Sequence, residues 1–442
     1  MGNRGKILKT VIDIGNNKIK AITGELSENG EVLRVLKYIE SPSEGMIKND
    51  IKDGEALSKS IKTVIDELAN YSDEDIEAVT VGMGGESIKS RTINVEIFFE
   101  EDEITEEHIK LLVKEAEEKV LNEEEQILKT EIYNVKVNNS GIIKNPLGLV
   151  GTKLQADVHL IFTEKKRVAK LVETINRIGI DVENIILNAY ASAKSTLEEE
   201  DRRMGVALVD IGEGSTDIIL YKNDKIIYTE TIPLGGMHFK SDLMYILKLN
   251  EEDTAIEILD KYREKDISPE GYIYYGEGKY IAALELEDFI NARVEEMIDY
   301  INSTIEKSGF TGYLGKGLVL TGGVVYDKII NADKLLEKIN KKTGYVARKV
   351  LPSTFSGLDS VNTSMATAIG LFYEVMEEED QKIRTGSYTH QEIELKNEKI
   401  EQEIKEDEKL IETIEDELQK TEDIKQENKM MKAIKNWFSN FI

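Results

Sequence analysis

Short apolar runs separated by polar turns fill the first forty residues. From about residue 7 to 40 the chain alternates as strands, with turns at Ser27-Glu28-Asn29-Gly30 and Ser41-Pro42. The period then changes. Ala56, Leu57, Ile61, Val64, Ile65 and Leu68 share one helical face between Gly54 and Asn70. Ala78-Val79-Thr80-Val81 is a strand that ends in Gly82-Met83-Gly84-Gly85. That glycine cluster lacks the Lys-Ser/Thr continuation of a phosphate loop and reads as a turn or hinge.

From Glu86 to Phe162 the pattern predicts a compact unit of strands with a helix near Thr105 to Leu121. His159 falls inside an alternating strand and is expected to be structural. Lys165–Gly179 reads as a helix and Val182–Ile186 as a strand. Asn188–Leu197 is a helix rich in small residues, suited to close packing at a junction. Strand Ile226–Ile232, a turn at Leu234-Gly235-Gly236, and helical segments His238–Leu247 and Asp253–Tyr262 follow. A strand pair over Tyr272–Ile281 and a long helix Glu285–Lys307 come next. Met365–Val375 is a second small-residue helix.

Three bends break the apolar runs in the same manner. Val206-Ala207-Leu208-Val209-Asp210-Ile211-Gly212-Glu213-Gly214-Ser215-Thr216 is an apolar strand that ends in aspartate and turns through glycines and hydroxyl residues. Thr10-Val11-Ile12-Asp13-Ile14-Gly15-Asn16-Asn17-Lys18 repeats the form. Leu318-Val319-Leu320-Thr321-Gly322-Gly323 closes a third run. Glycines let the backbone approach an anion closely, and N–H groups in such a bend can converge on phosphate oxygens. Ser215 and Thr216 add hydroxyl donors. Asp210, closing its strand, can hold through water the Mg²⁺ that accompanies ATP. Two matching hairpins and a later Gly-Gly loop predict two related halves clamping one nucleotide.

Composition narrows the partners. The chain has 442 residues, 40% hydrophobic, and a net charge of −28. It is long enough for more than one domain, and so acidic a body is unsuited to nucleic acid. There is no cysteine, which excludes disulfides and thiolate metal sites and fits a reducing compartment. Met1-Gly2-Asn3-Arg4-Gly5-Lys6 precedes no apolar signal core, and no run of about eighteen apolar residues predicts a spanning helix.

Composition breaks at Glu377-Glu378-Glu379-Asp380, and an acidic linker is expected over 377–428. Ile400, Ile404, Ile411, Ile414 and Leu418 keep a heptad-like spacing that Asp407 interrupts. The stretch 429–442 contains no acid. Met430, Met431, Ile434, Trp437, Phe438, Phe441 and Ile442 share one helical face, with Lys429, Lys432 and Lys435 among them. This predicts an interfacial membrane helix. Each lysine near an anionic leaflet adds about 1 kcal/mol, so a single tip binds weakly and an assembly of tips strongly. The alternative is a tail helix docked on protein.

The two hairpins and the Gly-Gly loop resemble the actin/Hsp70/sugar-kinase superfamily. More specifically, the chain resembles the FtsA family of bacterial cell-division proteins over essentially its whole length. The block Asn145-Pro146-Leu147-Gly148 … Gly151-Thr152-Lys153-Leu154 … Val158-His159 is similar to that family's Asn-Pro-x-Gly stretch. Ala191-Ser192-Ala193, Ala292-Arg293-Val294-Glu295-Glu296 and the amphipathic tail also match.

The resemblance implies an α/β, actin-like fold of two lobes. Subdomain 1A would take 1–83 and 164–190, and 1C, in place of actin's 1B, 84–163. Subdomain 2A would take 191–232 and 308–376, and 2B 233–307. It implies ATP and Mg²⁺ as cofactors, at most slow ATP turnover and self-assembly into a filament. It also implies recruitment of later division proteins and tethering of the FtsZ ring to the cytoplasmic face of the plasma membrane at the septum. Gly15, Asn16, Asn17, Lys18 and Gly212, Glu213, Gly214, Ser215, Thr216 would face the phosphates, Gly322 and Gly323 the nucleoside, and Asp13 and Asp210 the metal. Arg293 would pair with the acidic tail of FtsZ. Three positions depart from the family: Asn16 stands where Ser or Thr is usual, Glu213 where Gly is usual, and Ala255-Ile256-Glu257 displaces a glutamate expected near the ribose. A carboxylate at 213 is unfavourable beside phosphate unless it points away or meets Mg²⁺. The competing readings are a pilus-assembly adaptor of the same fold, expected to lack the tail, and a small-molecule kinase, which needs a general base in the cleft.

Overall fold

The computed structural model describes residues 6–27, 33–72, 75–264, 271–276 and 278–385. The membrane-helix residues named above and most of the expected linker lie outside them.

Strand Lys6–Ile14 pairs antiparallel with Lys18–Ser27, which pairs antiparallel with Leu33–Pro42. On its other edge it runs parallel to Ala78–Met83, and that strand runs parallel to Asp181–Leu187. Both faces of this sheet are covered, so neighbouring strand residues enter different cores. Ile12, Ile14 and Ile19 pack with Leu57, Ile61 and Val64 of helix Gly54–Ala69. Val11, Ile22 and Val35 pack with Ala368, Leu371 and Phe372 of helix Ala366–Thr385.

A second sheet repeats the arrangement. Val206–Ile211, Thr216–Lys222 and Lys225–Ile232 form the antiparallel part, and Leu318–Thr321 and Ala347–Lys349 continue it in parallel. Strand order and direction match the first sheet. Helix Asn188–Thr196 lies at the junction. Its Ala189 and Ala193 join a core that contains Ile19 of one sheet and Leu208 of the other. Small residues are needed here: a Cβ on Gly370 would stand 1.7 Å from Ala191 O.

Two elaborations leave this frame. Strands Lys89–Glu103, Glu125–Val137 and Val150–Glu164 form a three-stranded antiparallel sheet with helix Glu106–Val120 against it. Leu112, Ala116, Leu154 and Val158 fill its core. His159 is buried on the central strand with its Nδ1 2.8 Å from Thr92 Oγ1, a structural position. After the second hairpin come helices Met237–Leu247 and Glu252–Arg263, hairpin Tyr272–Tyr275/Lys279–Ala282 and the long helix Ala283–Lys307.

The structure differs from the sequence expectation in two places. Helix Ala366–Thr385 runs through the composition break at Glu377 instead of ending at Val375. Glu379 is the reason: it is buried and ion-paired with Lys9 at 3.3 Å and Lys382 at 3.0 Å. Helix Ala332–Thr343 and edge strand Ala347–Lys349 were not legible from periodicity. The helix buries only Leu335 and Ile339 fully among its lysines, and the strand is three residues long. Among the described residues no helix is long and apolar enough to cross a membrane.

Candidate functional site

The two hairpins turn in the same way. Gly15 N donates to Lys18 O at 3.0 Å, and Gly212 N donates to Ser215 O at 2.9 Å. Each aspartate stands two residues before its glycine. Asp13 lies opposite Lys20 in the first register and Asp210 opposite Asp217 in the second. The bends face one another across a cavity of about 1000 Å³. Its lining contains Asp13, Gly15, Asn16, Asn17, Lys18, Asp210, Gly212, Glu213, Gly214, Ser215, Gly322 and Gly323. Residues far apart in the chain thus meet in one cleft.

Thr216 is not among them. It is buried, and its hydroxyl donates to Leu234 O at 2.7 Å, so it offers no side-chain donor to the cleft. Lys18 reaches the rim, where it pairs with Glu40. The third bend is tied down from behind: Gly322 N donates to Thr363 O at 3.0 Å, and Thr363 Oγ1 donates to Gly322 O at 2.9 Å. Gly322 has φ 100°, and a Cβ there would lie 2.4 Å from Asp210 Oδ1. Only glycine lets this loop pass so close to the carboxylate.

The electrostatics of the cleft are set by burial. Desolvation pushes the Asp13 carboxyl above its ordinary value, opposed by Lys20, whose Nζ is 3.7 Å from Asp13 Oδ2. Burial also raises Asp210, opposed by the Ser192 hydroxyl that donates to its Oδ2 at 2.5 Å. The Asp13 charge raises Asp210 further. Two buried carboxylates that repel one another are a setting that a divalent cation relieves. No cluster of three or more carboxylate or imidazole groups able to hold a metal occurs among the described residues. The donor set therefore fits a hydrated Mg²⁺ brought by phosphate and held through water, and not an all-protein cage.

Several cleft residues escaped the sequence reading. Asp217 lines the cavity, accepts from Thr231 Oγ1 at 2.6 Å, and is pushed up to about 7 by burial. An acid at an inward strand position was the available signal. Asn188 Oδ1 is buried without a hydrogen-bond partner, and the residue lines the same cavity. The cluster Gly82-Met83-Gly84 exists to admit it: a Cβ on Gly82 would stand 2.3 Å from Asn188 Oδ1. Asn49, in left-handed backbone at φ 57°, joins the bends. It exchanges hydrogen bonds with the Asn16 amide at 2.7 Å and donates to Ser215 Oγ at 2.5 Å. In the stretch Ala255-Ile256-Glu257, Ile256 lines the cavity, as does Asp260, and Glu257 does not; Glu257 pairs with Lys261 at 2.6 Å.

Arg293 lies elsewhere, on helix Ala283–Lys307. Its Nε and Nη2 donate to the two carboxylate oxygens of Asp242 at 2.6 and 2.5 Å, and it also pairs with Glu296.

Two lobes with one sheet topology, closing on a cleft lined by both hairpin bends, define the actin-like fold. Comparison with known proteins narrows the class. Residues 85–162 match the model of the SHS2 domain inserted in FtsA, and residues 207–262 that of cell division protein FtsA. The chain is 30% identical over 402 residues to cell division protein FtsA of Borreliella burgdorferi, covering 87% of this chain and 94% of that one. It is 29% identical over 326 residues to the Escherichia coli K12 protein of the same name, covering 71% and 77%. The chain belongs to the FtsA family of cell-division proteins. Among solved structures it is similar in fold to a PilM-PilN type IV pilus biogenesis complex, with TM-score 0.60 and 16% identity over 84% of this chain and 98% of that one.

Proposed function

We propose that the protein binds ATP with Mg²⁺ in the cleft, assembles into a filament, and tethers FtsZ to the cytoplasmic face of the plasma membrane at the division site. The observation that carries the nucleotide reading is the pair of equivalent Asp-Ile-Gly bends meeting across one cavity with Gly322-Gly323 at its end. The bends would hold the phosphates by backbone N–H groups and the Ser215 hydroxyl. Asp13 and Asp210 would hold Mg²⁺ through water. The cation supplies neutralisation of phosphate charge. Turnover is slow or absent, and recruitment of later division proteins belongs to the same reading.

FtsZ is expected to bind through its acidic tail at Arg293, displacing Asp242. Membrane attachment rests on the sequence of 429–442. Its apolar face and lysines suit an anionic leaflet. Electrostatic repulsion is screened within roughly 8 Å at physiological salt, so a linker keeps the acidic body clear of the same leaflet.

The test is co-sedimentation with anionic liposomes of the full chain against a chain ending at Glu427, with and without ATP and Mg²⁺. Pelleting of the full chain alone, enhanced by ATP, is the expected result. If neither chain pellets, the tip is a protein-docking helix and the tether reading fails.

A further inference from the structure

Glu213 puts a negative charge into a bend built for anions. The structure resolves the conflict by direction. Glu213 O accepts from Met237 N at 2.8 Å, and Gly212 O accepts from Gly236 N at 3.0 Å, so the bend is clamped to the head of helix Met237–Leu247. A Cβ built on Gly236 would lie 2.6 Å from Glu213 Oε2 and 2.9 Å from Val324 Cγ2. The carboxylate therefore stands over Gly236, beside the helix that starts at Gly323, and not between the two bends.

Its electrostatic surroundings agree. Burial raises the carboxyl, Lys240 and Arg263 oppose that, and Asp327 and Glu252 add to it. Lys240, Arg263 and Asp327 line the same cavity as Gly322 and Gly323, and Glu252 opens the helix that ends at Arg263. Among the described residues no donor bonds this carboxylate. An ionised carboxylate only accepts hydrogen bonds. At the nucleoside end the donors a nucleotide offers are the hydroxyls of its sugar.

We propose that Glu213 reads the sugar of the bound nucleotide, its carboxylate accepting from a ribose hydroxyl, and so makes the cleft selective for ribonucleotides over deoxyribonucleotides. This rests on the nucleotide reading given above. A site built to bond a hydroxyl rejects a ligand that lacks it, because the buried acceptor is left unpaired. The role also explains why the residue after Gly235 is glycine: any side chain at 236 would displace the carboxylate.

The test is calorimetric binding of ATP, 2′-deoxy-ATP and 3′-deoxy-ATP, each with Mg²⁺, to the full chain and to Glu213→Gly and Glu213→Gln. The full chain is expected to prefer ATP over at least one deoxy analogue by about ten- to a hundredfold, the range for a hydrogen bond to a charged group. In Glu213→Gly that ratio falls towards one, and Glu213→Gln, which keeps an acceptor, lies between. If ATP binds but the wild-type ratio is already near one, or Glu213→Gly changes all three affinities equally, the sugar-reading role is overturned and the nucleotide site stands. If ATP does not bind the wild-type chain, both fall. Melting temperature and circular dichroism of each variant separate these results from misfolding.

Discussion

Asn49 Nδ2 donates to Ser215 Oγ at 2.5 Å, while the same residue exchanges two 2.7 Å bonds with Asn16. One side chain thus bridges the bend of the first hairpin and the bend of the second. Its carbonyl accepts from Arg167, which anchors the bridge from behind. Removing the bridge frees the two lobes to separate. Each neutral hydrogen bond contributes about 1 kcal/mol net. Asn49→Gly, which keeps the left-handed backbone accessible, is expected to speed nucleotide release about threefold to tenfold. A chase experiment with radiolabelled ATP measures it, and an unchanged rate removes Asn49 from any part in closure.

His159 gives the body an acid limb. Burial holds its imidazole down at about 4, against 6.5 for an exposed histidine, so it is neutral when folded and takes a proton on unfolding. Stability from this residue is fully present above pH 6.5 and is lost as pH falls towards 4. The difference amounts to about 3 kcal/mol. His159→Gln should flatten the fall in denaturation midpoint between pH 7 and pH 4.5 relative to wild type. Parallel curves would mean that the imidazole does not titrate between the two states.

Asp242 occupies both donors of Arg293 that face it. A bidentate carboxylate contact is strong and directional, so an acidic peptide binding at Arg293, as proposed, would have to displace it. Asp242→Asn is expected to tighten binding of an FtsZ tail peptide several-fold, and Arg293→Ala to weaken it about tenfold or more. Fluorescence anisotropy reads both. An affinity indifferent to both changes would place the partner on another face.

The packing of helix Ala366–Thr385 on helix Asn188–Thr196 depends on a missing side chain. A methyl group at 370 would overlap Ala191 O. Overpacking at a helix crossing typically costs 1–3 kcal/mol, and a clash with backbone sits at the upper end. Gly370→Ala should lower the melting temperature of the body by several degrees, whereas Gly312→Ala, which meets nothing, should leave it close to unchanged.

Long periodic elements were legible in the sequence because burial imposes their period. The apolar face Leu57, Ile61, Val64, Leu68 marked one helix, and the bends after Asp13, Asp210 and Thr321 marked the cleft. The cross-cleft partners were not legible. Asn49 sits in a turn between two-residue strands, and nothing near it in sequence reveals that it reaches Ser215. Asp217 and Asn188 acquire a role only through what folds over them. The direction of Glu213 was open in the sequence because it is fixed by Gly236 and Met237, which lie beyond the following two strands.

The two sheets are one design written twice, yet the residue facing the strand-end aspartate is Lys20 in the first copy and Asp217 in the second. Two identical copies meeting face to face would form a cleft with no front or back, and a ligand could enter either way round. The two copies in this chain differ at that position, one carrying a cation and the other an acid. The cleft therefore has unlike walls, and the two lobes of this protein are not interchangeable jaws.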